Sequence, residues 1–327
     1  MKSVDSVLQT IGGTPLVRLR RLGRDLPCPL YGKVEFFNPG GSIKDRIGLA
    51  MIERAEKAGR LTPGISTIVE ATAGNTGIGL AIAAALKGYR CVFVLPDKMS
   101  KEKIDLLHAY GAETVIVRSD VPPKSPESYT GTARRLASEI PGAWLADQFY
   151  NMTNPETHAL TTGPEIWEQT GGLVTCFVGG VGTGGTLSGV GRFLKGRNTS
   201  VRVVGADPEG SILSGDTARP YKVEGIGQDY VPATFDSGVV DDWVRVSDAE
   251  SFRAARRAAR EEGLLVGGSS GTSLAAALRY GARLGSRDLI VAILPDTGTN
   301  YMSKFYSDNW MRENGFPLQD EGATSGD

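Results

Sequence analysis

The stretch Ser66-Thr67-Ile68-Val69-Glu70-Ala71-Thr72-Ala73-Gly74-Asn75-Thr76-Gly77 decides the fold. Residues 66–70 form a β-rich apolar run that ends at a glycine-containing loop. Residues 76–87, rich in alanine, leucine and isoleucine, read as a buried helix. The same alternation continues outward. Residues 91–95 read as a strand, 100–109 as a helix and 114–117 as a strand. Further on, 175–178 and 201–206 read as strands around a helix at 186–194, and helices at 248–262 and 272–284 precede a strand at 289–294. Strand and helix in turn predict an α/β protein with two open, mostly parallel twisted sheets flanked by helices. A less regular stretch, 120–172, separates the two runs and suggests two domains with the site between them. Each glycine loop follows a strand, at the carboxyl edge where open parallel sheets bind ligands.

Composition narrows the function classes. The chain has 327 residues, 40% hydrophobic and 22% charged, with a formal net charge of -1, as expected of a globular domain pair. Its most basic segment, 253–260, interleaves arginine with alanine and reads as a solvated helix face, so no nucleic-acid partner is expected. Cys28, Cys91 and Cys176 are odd in number and widely spaced, and read as reduced thiols in a cytoplasmic protein. The first residues lack the apolar run of a signal peptide, and no segment is apolar for long enough to span a bilayer, so no membrane partner is expected. The polar tail 318–327 is expected to be disordered.

Three segments carry chemistry. Asn38-Pro39-Gly40-Gly41-Ser42-Ile43-Lys44-Asp45-Arg46 places a lysine after a glycine pair, with Ser42 able to cap a helix from residue 43 to 58. An ordinary surface lysine is the bland alternative. A desolvated lysine with a lowered pKa, helped by Arg46, is the functional one. The loop at 72–77 offers amides and hydroxyls at a helix start for a substrate carboxylate, and the Asn75 amide for a cofactor hydroxyl; a simple turn is the competing reading. Gly182-Thr183-Gly184-Gly185-Thr186 offers backbone amides and two hydroxyls for one phosphate. Together they point to pyridoxal phosphate, whose aldehyde a lysine holds as a Schiff base. Gly180 to Gly185 also satisfies the dinucleotide pattern G-x-G-x-x-G, with Asp207 at the distance of a ribose-binding acid, so a nicotinamide oxidoreductase remains a competitor. In Gly267-Gly268-Ser269-Ser270-Gly271, Ser269 could bond a pyridine nitrogen, or the segment could be only a helix cap. A hydroxyl there weakens the electron sink and favours elimination at the β-carbon. His108 and His158 fit no metal spacing and read as structural, and no metal site is expected.

These residues resemble the cysteine synthase and cystathionine β-synthase group of pyridoxal-phosphate enzymes, the fold-type-II (tryptophan synthase β-like) β-replacement enzymes. The likeness runs from Ile11-Gly12-Gly13-Thr14-Pro15-Leu16 to Asn309-Trp310-Met311. It implies Lys44 as the Schiff-base lysine and Asn75 at the cofactor's ring oxygen. It also implies Gly182, Thr183, Gly184, Gly185 and Thr186 as the phosphate loop, and Ser269 at the pyridine nitrogen. Thr72, Ala73, Gly74, Thr76 and Gln148 fall where the family holds the substrate carboxylate, and Gly225 and Gly227 line the same cleft. The implied domains are 1–40 plus 148–317, larger and phosphate-binding, and 41–147, smaller and mobile, closing over the carboxylate. The stretches 207–212, 223–227 and 300–305 look like cystathionine β-synthase. Ala73 in place of a serine, Phe149, and Gln228 in place of a tyrosine depart from it. No haem is expected, because the chain begins at the catalytic core and ends soon after Phe316. The implied reaction is replacement of the β-substituent of serine or an O-activated serine by a thiol. Homocysteine giving cystathionine is the first choice and sulfide giving cysteine the second, in a homodimer with Lys44 as base.

Overall fold

The computed structural model describes residues 3–318 except 73, 98, 100, 119, 123 and 124, and the side chain of 102. In chain order the elements are β1 (Leu16–Arg18), β2 (Leu30–Val34), α1 (Lys44–Lys57), β3 (Thr67–Ala71), α2 (Asn75–Lys87), β4 (Arg90–Pro96), α3 (Lys101–Ala109) and β5 (Glu113–Val117). Then come α4 (Tyr129–Glu139), β6 (Ala143–Leu145), α5 (Thr153–Leu160), α6 (Thr162–Gln169), β7 (Cys176–Gly180), α7 (Gly185–Arg197) and β8 (Arg202–Pro208). The chain closes with β9 (Asp242–Val246), α8 (Asp248–Glu262), α9 (Gly268–Gly281), β10 (Ile290–Leu294) and α10 (Asp308–Glu313). They form two compact units, one of Met1–Gly12 with Asn38–Thr157, the other of Gly13–Phe37 with His158–Asp327.

The first unit holds a four-stranded sheet in the order β5-β4-β3-β6, every described pair parallel. Side chains alternate across a strand, so each strand feeds both faces. Ile68, Cys91, Phe93 and Leu95 pack with Ile47, Met51, Leu80 and Ala83 from α1 and α2. Their neighbours Val69, Val92 and Val94 pack with Ala133 and Leu136 of α4. Burial on both faces accounts for the nearly continuous apolar run of β4.

The second unit holds a six-stranded sheet, β1-β2-β10-β7-β8-β9, parallel except for the β1–β2 pair. Cys176, Val178, Val204, Ile290 and Leu294 bury one face against Phe252 and Ala255 of α8 and Leu274 and Ala277 of α9. At its edge Lys33 is wholly buried, with Nζ 2.6 Å from both the Thr14 carbonyl and Glu165 Oε2 and 3.0 Å from Gln169 Oε1. A buried ammonium is tolerable only with partners of this kind.

The stretch 120–172 contributes α4, β6, α5 and α6, and β6 completes a sheet. The start of the chain divides, residues up to Gly12 belonging with the Lys44 unit and Gly13–Phe37 with the other, and the later crossing falls after Thr157, within α5. Leu318 packs against the core of the second unit, whereas the rest of the expected tail, 319–327, lies outside the described residues. All three cysteines are buried free thiols, and burial pushes the Cys91 and Cys176 thiols up to about 12.

Candidate active site

In the first unit the turn before α1 is held by its own polar groups. The Gly41 amide donates to the Asn38 carbonyl at 2.8 Å, and the Gly40 amide donates to Asp45 Oδ2 at 2.5 Å. Helix α1 begins at Lys44, one residue later than the sequence suggested. Ser42 is therefore not its N-cap, although Ser42 Oγ accepts from the Lys44 amide at 3.2 Å. Lys44 is half-buried. Its backbone rests on α2: a Cβ on Gly79 would lie 2.5 Å from the Lys44 carbonyl oxygen. Only glycine permits that approach. Because Asn75 lies one helical turn before Gly79, roughly 6 Å along the axis, the start of α2 is brought beside the start of α1.

The loop ahead of α2 is arranged around Gln148. Thr76 Oγ1 donates to Gln148 Oε1 at 2.6 Å, and both residues are buried. The Gly74 amide donates to Thr72 Oγ1 at 3.2 Å. Beneath them Glu70, at the end of β3, accepts the amides of Asp147 (2.7 Å) and Gln148 (3.4 Å). Burial pushes the Glu70 carboxyl up to about 8, against the lowering effect of those two amides. Ala73 lies outside the described residues.

In the second unit β7 runs into the glycine loop. Gly184 has φ 85°, and a Cβ there would lie 2.4 Å from Cβ of Phe235, so both the left-handed backbone and the space require glycine. The Gly227 amide donates to the Val181 carbonyl at 2.8 Å, which fastens the 225–227 loop to the end of β7. A Cβ on Gly182 would lie 2.3 Å from the Gly225 carbonyl, and one on Gly225 would lie 4.0 Å from Ser269 Oγ. Gly182, Gly225 and the first turn of α9 therefore meet at one place.

The helix N-termini are unequal. Ser128 caps α4, Ser307 caps α10, and Ser247 with Glu250 forms a capping box on α8. Helix α6 has no side-chain cap but carries Glu165 in its first turn, and α1 likewise carries Asp45. Among the first turns described in full, α2, α7 and α9 alone have neither a cap from the residue preceding the helix nor an acidic side chain. Their first amides precede the first intrahelical bonds; at α9 the Asp296 carboxyl lies beside the preceding Gly267, where an added Cβ would meet Oδ1 at 2.0 Å.

Each residue singled out from sequence, apart from Ala73, has a definite place. Lys44, Thr72, Gly74, Asn75, Thr76 and Gln148 gather at the starts of α1 and α2. Gly182 to Thr186, Gly225, Gly227 and Ser269 gather at the starts of α7 and α9. Ser269 lies inside the first turn of α9, not in a cap before it. His158, read as structural, is fully buried and reaches the glycine loop, with Nδ1 2.9 Å from Thr162 Oγ1 and Nε2 3.3 Å from Thr186 Oγ1. Thr234 Oγ1 donates to the Thr183 carbonyl at 2.6 Å. Neither contact has a local sequence signal, and neither does the Glu70 pairing. Asp207, the acid that a dinucleotide would need, is fully buried with Oδ2 held by the Ser214 amide at 2.9 Å. Among the described residues no group of three or more His, Cys, Asp or Glu is placed to hold a metal ion.

The donor set fits a phosphorylated aldehyde. The starts of α7 and α9 supply amides and hydroxyls, including the Ser270 Oγ, which is buried with no hydrogen-bond partner beside Ser269. Lys44 and a third open helix start, that of α2, belong to the other unit. Residues 7–296 match the family described as pyridoxal-phosphate dependent enzyme, and the chain belongs to that family. Pyridoxal phosphate is its cofactor class, in place of the nicotinamide alternative. The chain is 48% identical to cystathionine beta-synthase of Oryctolagus cuniculus over 98% of its own length and 59% of that protein. It is 45% identical to cysteine synthase of Staphylococcus aureus, across 92% of this chain and 96% of the relative. The O-acetylserine dependent cystathionine beta-synthase from Helicobacter pylori superposes with TM-score 0.87 at 38% identity, covering 93% of this chain and 99% of that structure. The chain thus spans less than two thirds of the animal cystathionine beta-synthases that it matches.

Proposed function

We propose that the chain catalyses β-replacement on L-serine by the thiol of L-homocysteine, giving L-cystathionine and water. The observation that carries this reading is the set of three helix starts with no side-chain cap and no acid in the first turn, α2, α7 and α9, together with Lys44 seated on α2. The mammalian relatives, which are cystathionine beta-synthases, support the choice of thiol.

In this reading Gly182, Thr183, Gly184, Gly185 and Thr186 would hold the cofactor phosphate, Asn75 its ring oxygen, Ser269 its pyridine nitrogen and Lys44 its aldehyde carbon. Pyridoxal phosphate, when bound, supplies an electron sink that acidifies the Cα–H of an attached amino acid. Thr72, Gly74, Thr76 and Gln148 bind the substrate carboxylate at the start of α2, where open amides favour an anion. Lys44 Nζ takes the proton from Cα and delivers it to the departing β-oxygen, which serine's poor leaving group requires. The Gly225–Gly227 loop lines the side from which the thiol adds. A single Ser269 hydroxyl, in place of a carboxylate, leaves the pyridine nitrogen without a fixed proton, which suits loss at the β-carbon. The protein acts as a cytoplasmic homodimer on this reading; sedimentation of the purified protein addresses the dimer and cell fractionation the location.

Two measurements test the proposal. Borohydride reduction followed by peptide mapping should place the cofactor on Lys44, and an adduct on another lysine ends that assignment. A comparison of kcat/KM for serine plus homocysteine with acetylserine plus sulfide should favour the first pair. The donor named for the Helicobacter pylori structure and the Staphylococcus aureus relative give the second reading, cysteine synthesis, its support. A tenfold win for acetylserine plus sulfide, about 1.4 kcal/mol in the barrier, would establish that reading.

A further inference from the structure

Glu70 lies in β3, ahead of the glycine loop, and the sequence gives it no more than a place in a strand. Its side chain is 1% exposed. Both carboxyl oxygens face the chain that follows β6: Oε2 accepts the Asp147 amide at 2.7 Å and Oε1 approaches the Gln148 amide at 3.4 Å. Asp147 is the only non-glycine among the described residues with positive φ, at 50°. A left-handed aspartate is uncommon and is kept only when its surroundings impose it. The turn is fastened on its other side too, where the Asn154 Nδ2 donates to the Gln148 carbonyl at 3.0 Å and the Tyr150 and Asn151 amides donate to the Asp147 carbonyl at 2.9 and 2.8 Å. At the far end of Gln148, Thr76 Oγ1 donates to Oε1 at 2.6 Å. The side-chain amide nitrogen of Gln148 is thereby given one direction.

We infer that Glu70 is the positioning residue of the carboxylate half-site: by gripping the Asp147 and Gln148 amides it holds the left-handed turn that aims the Gln148 side chain at the start of α2. The inference rests on the reading of Gln148 and Thr76 as ligands of the substrate carboxylate. Two backbone amides cannot be left buried without an acceptor at small cost, so the carboxyl and the turn form one unit. Burial, with the nearby Asp147 acting in the same direction, pushes the Glu70 carboxyl up to about 8. Asp147 is itself raised by burial and lowered by Arg134. At neutral pH Glu70 is therefore mostly the neutral acid, whose carbonyl oxygen can accept the closer Asp147 amide as a glutamine oxygen can, whereas a glutamine NH2 offers the Gln148 amide no acceptor.

The test uses the full-length holoenzyme with Glu70→Leu, Glu70→Gln, Gln148→Ala and the Glu70→Leu/Gln148→Ala double variant. Glu70→Leu removes both acceptors while filling the volume. It should raise KM for the amino-acid donor about tenfold with kcat within about threefold, the pattern of lost ground-state binding. Glu70→Gln should restore KM to within about twofold at pH 7. Gln148→Ala should match Glu70→Leu, and the double variant should be no worse than either single, because residues that act through one another are not additive. Hydrogen exchange at both the Asp147 and Gln148 amides should accelerate in Glu70→Leu, whereas Glu70→Gln should leave the closer Asp147 amide protected, and this readout stands even if the kinetics of the leucine variant are obscured by poor folding. If Gln148→Ala leaves KM unchanged, the carboxylate half-site has been misread. If Gln148→Ala raises KM but Glu70→Leu does not, or the two effects simply add, Glu70 is a structural residue and the inference is overturned.

Discussion

Helices α7 and α8 lie in the same unit and are nearly the same length, yet their first turns are built oppositely. Helix α8 is closed: Ser247 Oγ accepts from the Glu250 amide, Glu250 reaches back to the Ser247 amide at 2.9 Å, and Asp248 adds a second negative charge. Helix α7 opens after a left-handed Gly184 with no cap from that residue and no acid in its first turn. Its nearest substitute, Thr183 Oγ1, stands 3.4 Å from the Gly185 amide, at the long end for a hydrogen bond. A capping box satisfies amides that would otherwise bind water or a ligand, and contributes about 1 kcal/mol. A helix that forgoes it leaves those amides and its positive end to an external anion. On the proposed function, α8 begins as a helix that serves the fold and α7 as one that serves the ligand.

Closing α7 should have the greatest consequence. Thr186→Glu supplies the missing first-turn acid and should lower cofactor affinity by on the order of 1,000-fold, about 4 kcal/mol. The cofactor-free protein should keep its stability or gain a few tenths of a kcal/mol from the helix dipole. Equilibrium dialysis with pyridoxal phosphate, beside thermal melts of the cofactor-free protein, reads both. Undiminished affinity would sink the assignment of the phosphate to this loop.

Next in size is the seat of α1 on α2. Gly79→Ala drives a methyl against the Lys44 carbonyl, and overpacking against backbone should cost about 3 kcal/mol. It should also shift the visible absorbance of the holoenzyme by moving Lys44. Denaturant unfolding and an absorbance scan measure the two effects. Loss of stability with an unchanged spectrum would separate the helix crossing from the lysine.

A smaller effect concerns pH. Burial raises Glu70 from 4.5 to about 8, so the folded state holds its proton more tightly than the unfolded chain between those values. Its contribution to stability is therefore full below pH 4.5 and is lost as pH rises through about 8. Between pH 6 and 8 the native protein should lose about 2 kcal/mol more than Glu70→Gln does. Parallel stability–pH curves for the two proteins would contradict the burial argument. Smallest of all, Ser247→Ala opens α8 and should cost about 1 kcal/mol of stability while leaving cofactor affinity unchanged.

The legible part of the fold is the part with local causes. Continuous apolar runs announced β3, β4, β7, β8 and β10, because strands buried on both faces have little polar alternation to hide them. Strands β1, β2, β6 and β9 went unread. They are edge or near-edge strands of three to five residues, and their identity depends on a neighbour far along the chain. Ser42 was read as the cap of α1, but the glycine turn moved the helix start to Lys44. Lys44, the Asn75 loop, the Gly182 loop and Ser269 stood out because glycine and hydroxyl residues at a strand-to-helix turn are a local pattern with a physical meaning.

The sequence by itself determined the alternation of strand and helix, the open helix starts and the lysine, since each depends on residues within a few positions of one another. Tertiary structure alone decided what sits behind them. Glu70 meets the Asp147 amide 77 residues away, and His158 meets Thr186 28 residues away. Lys33 finds Glu165 across 132 residues. A buried polar group must be satisfied wherever a partner arrives in space, and sequence spacing carries no record of which distant amide or carboxylate will arrive.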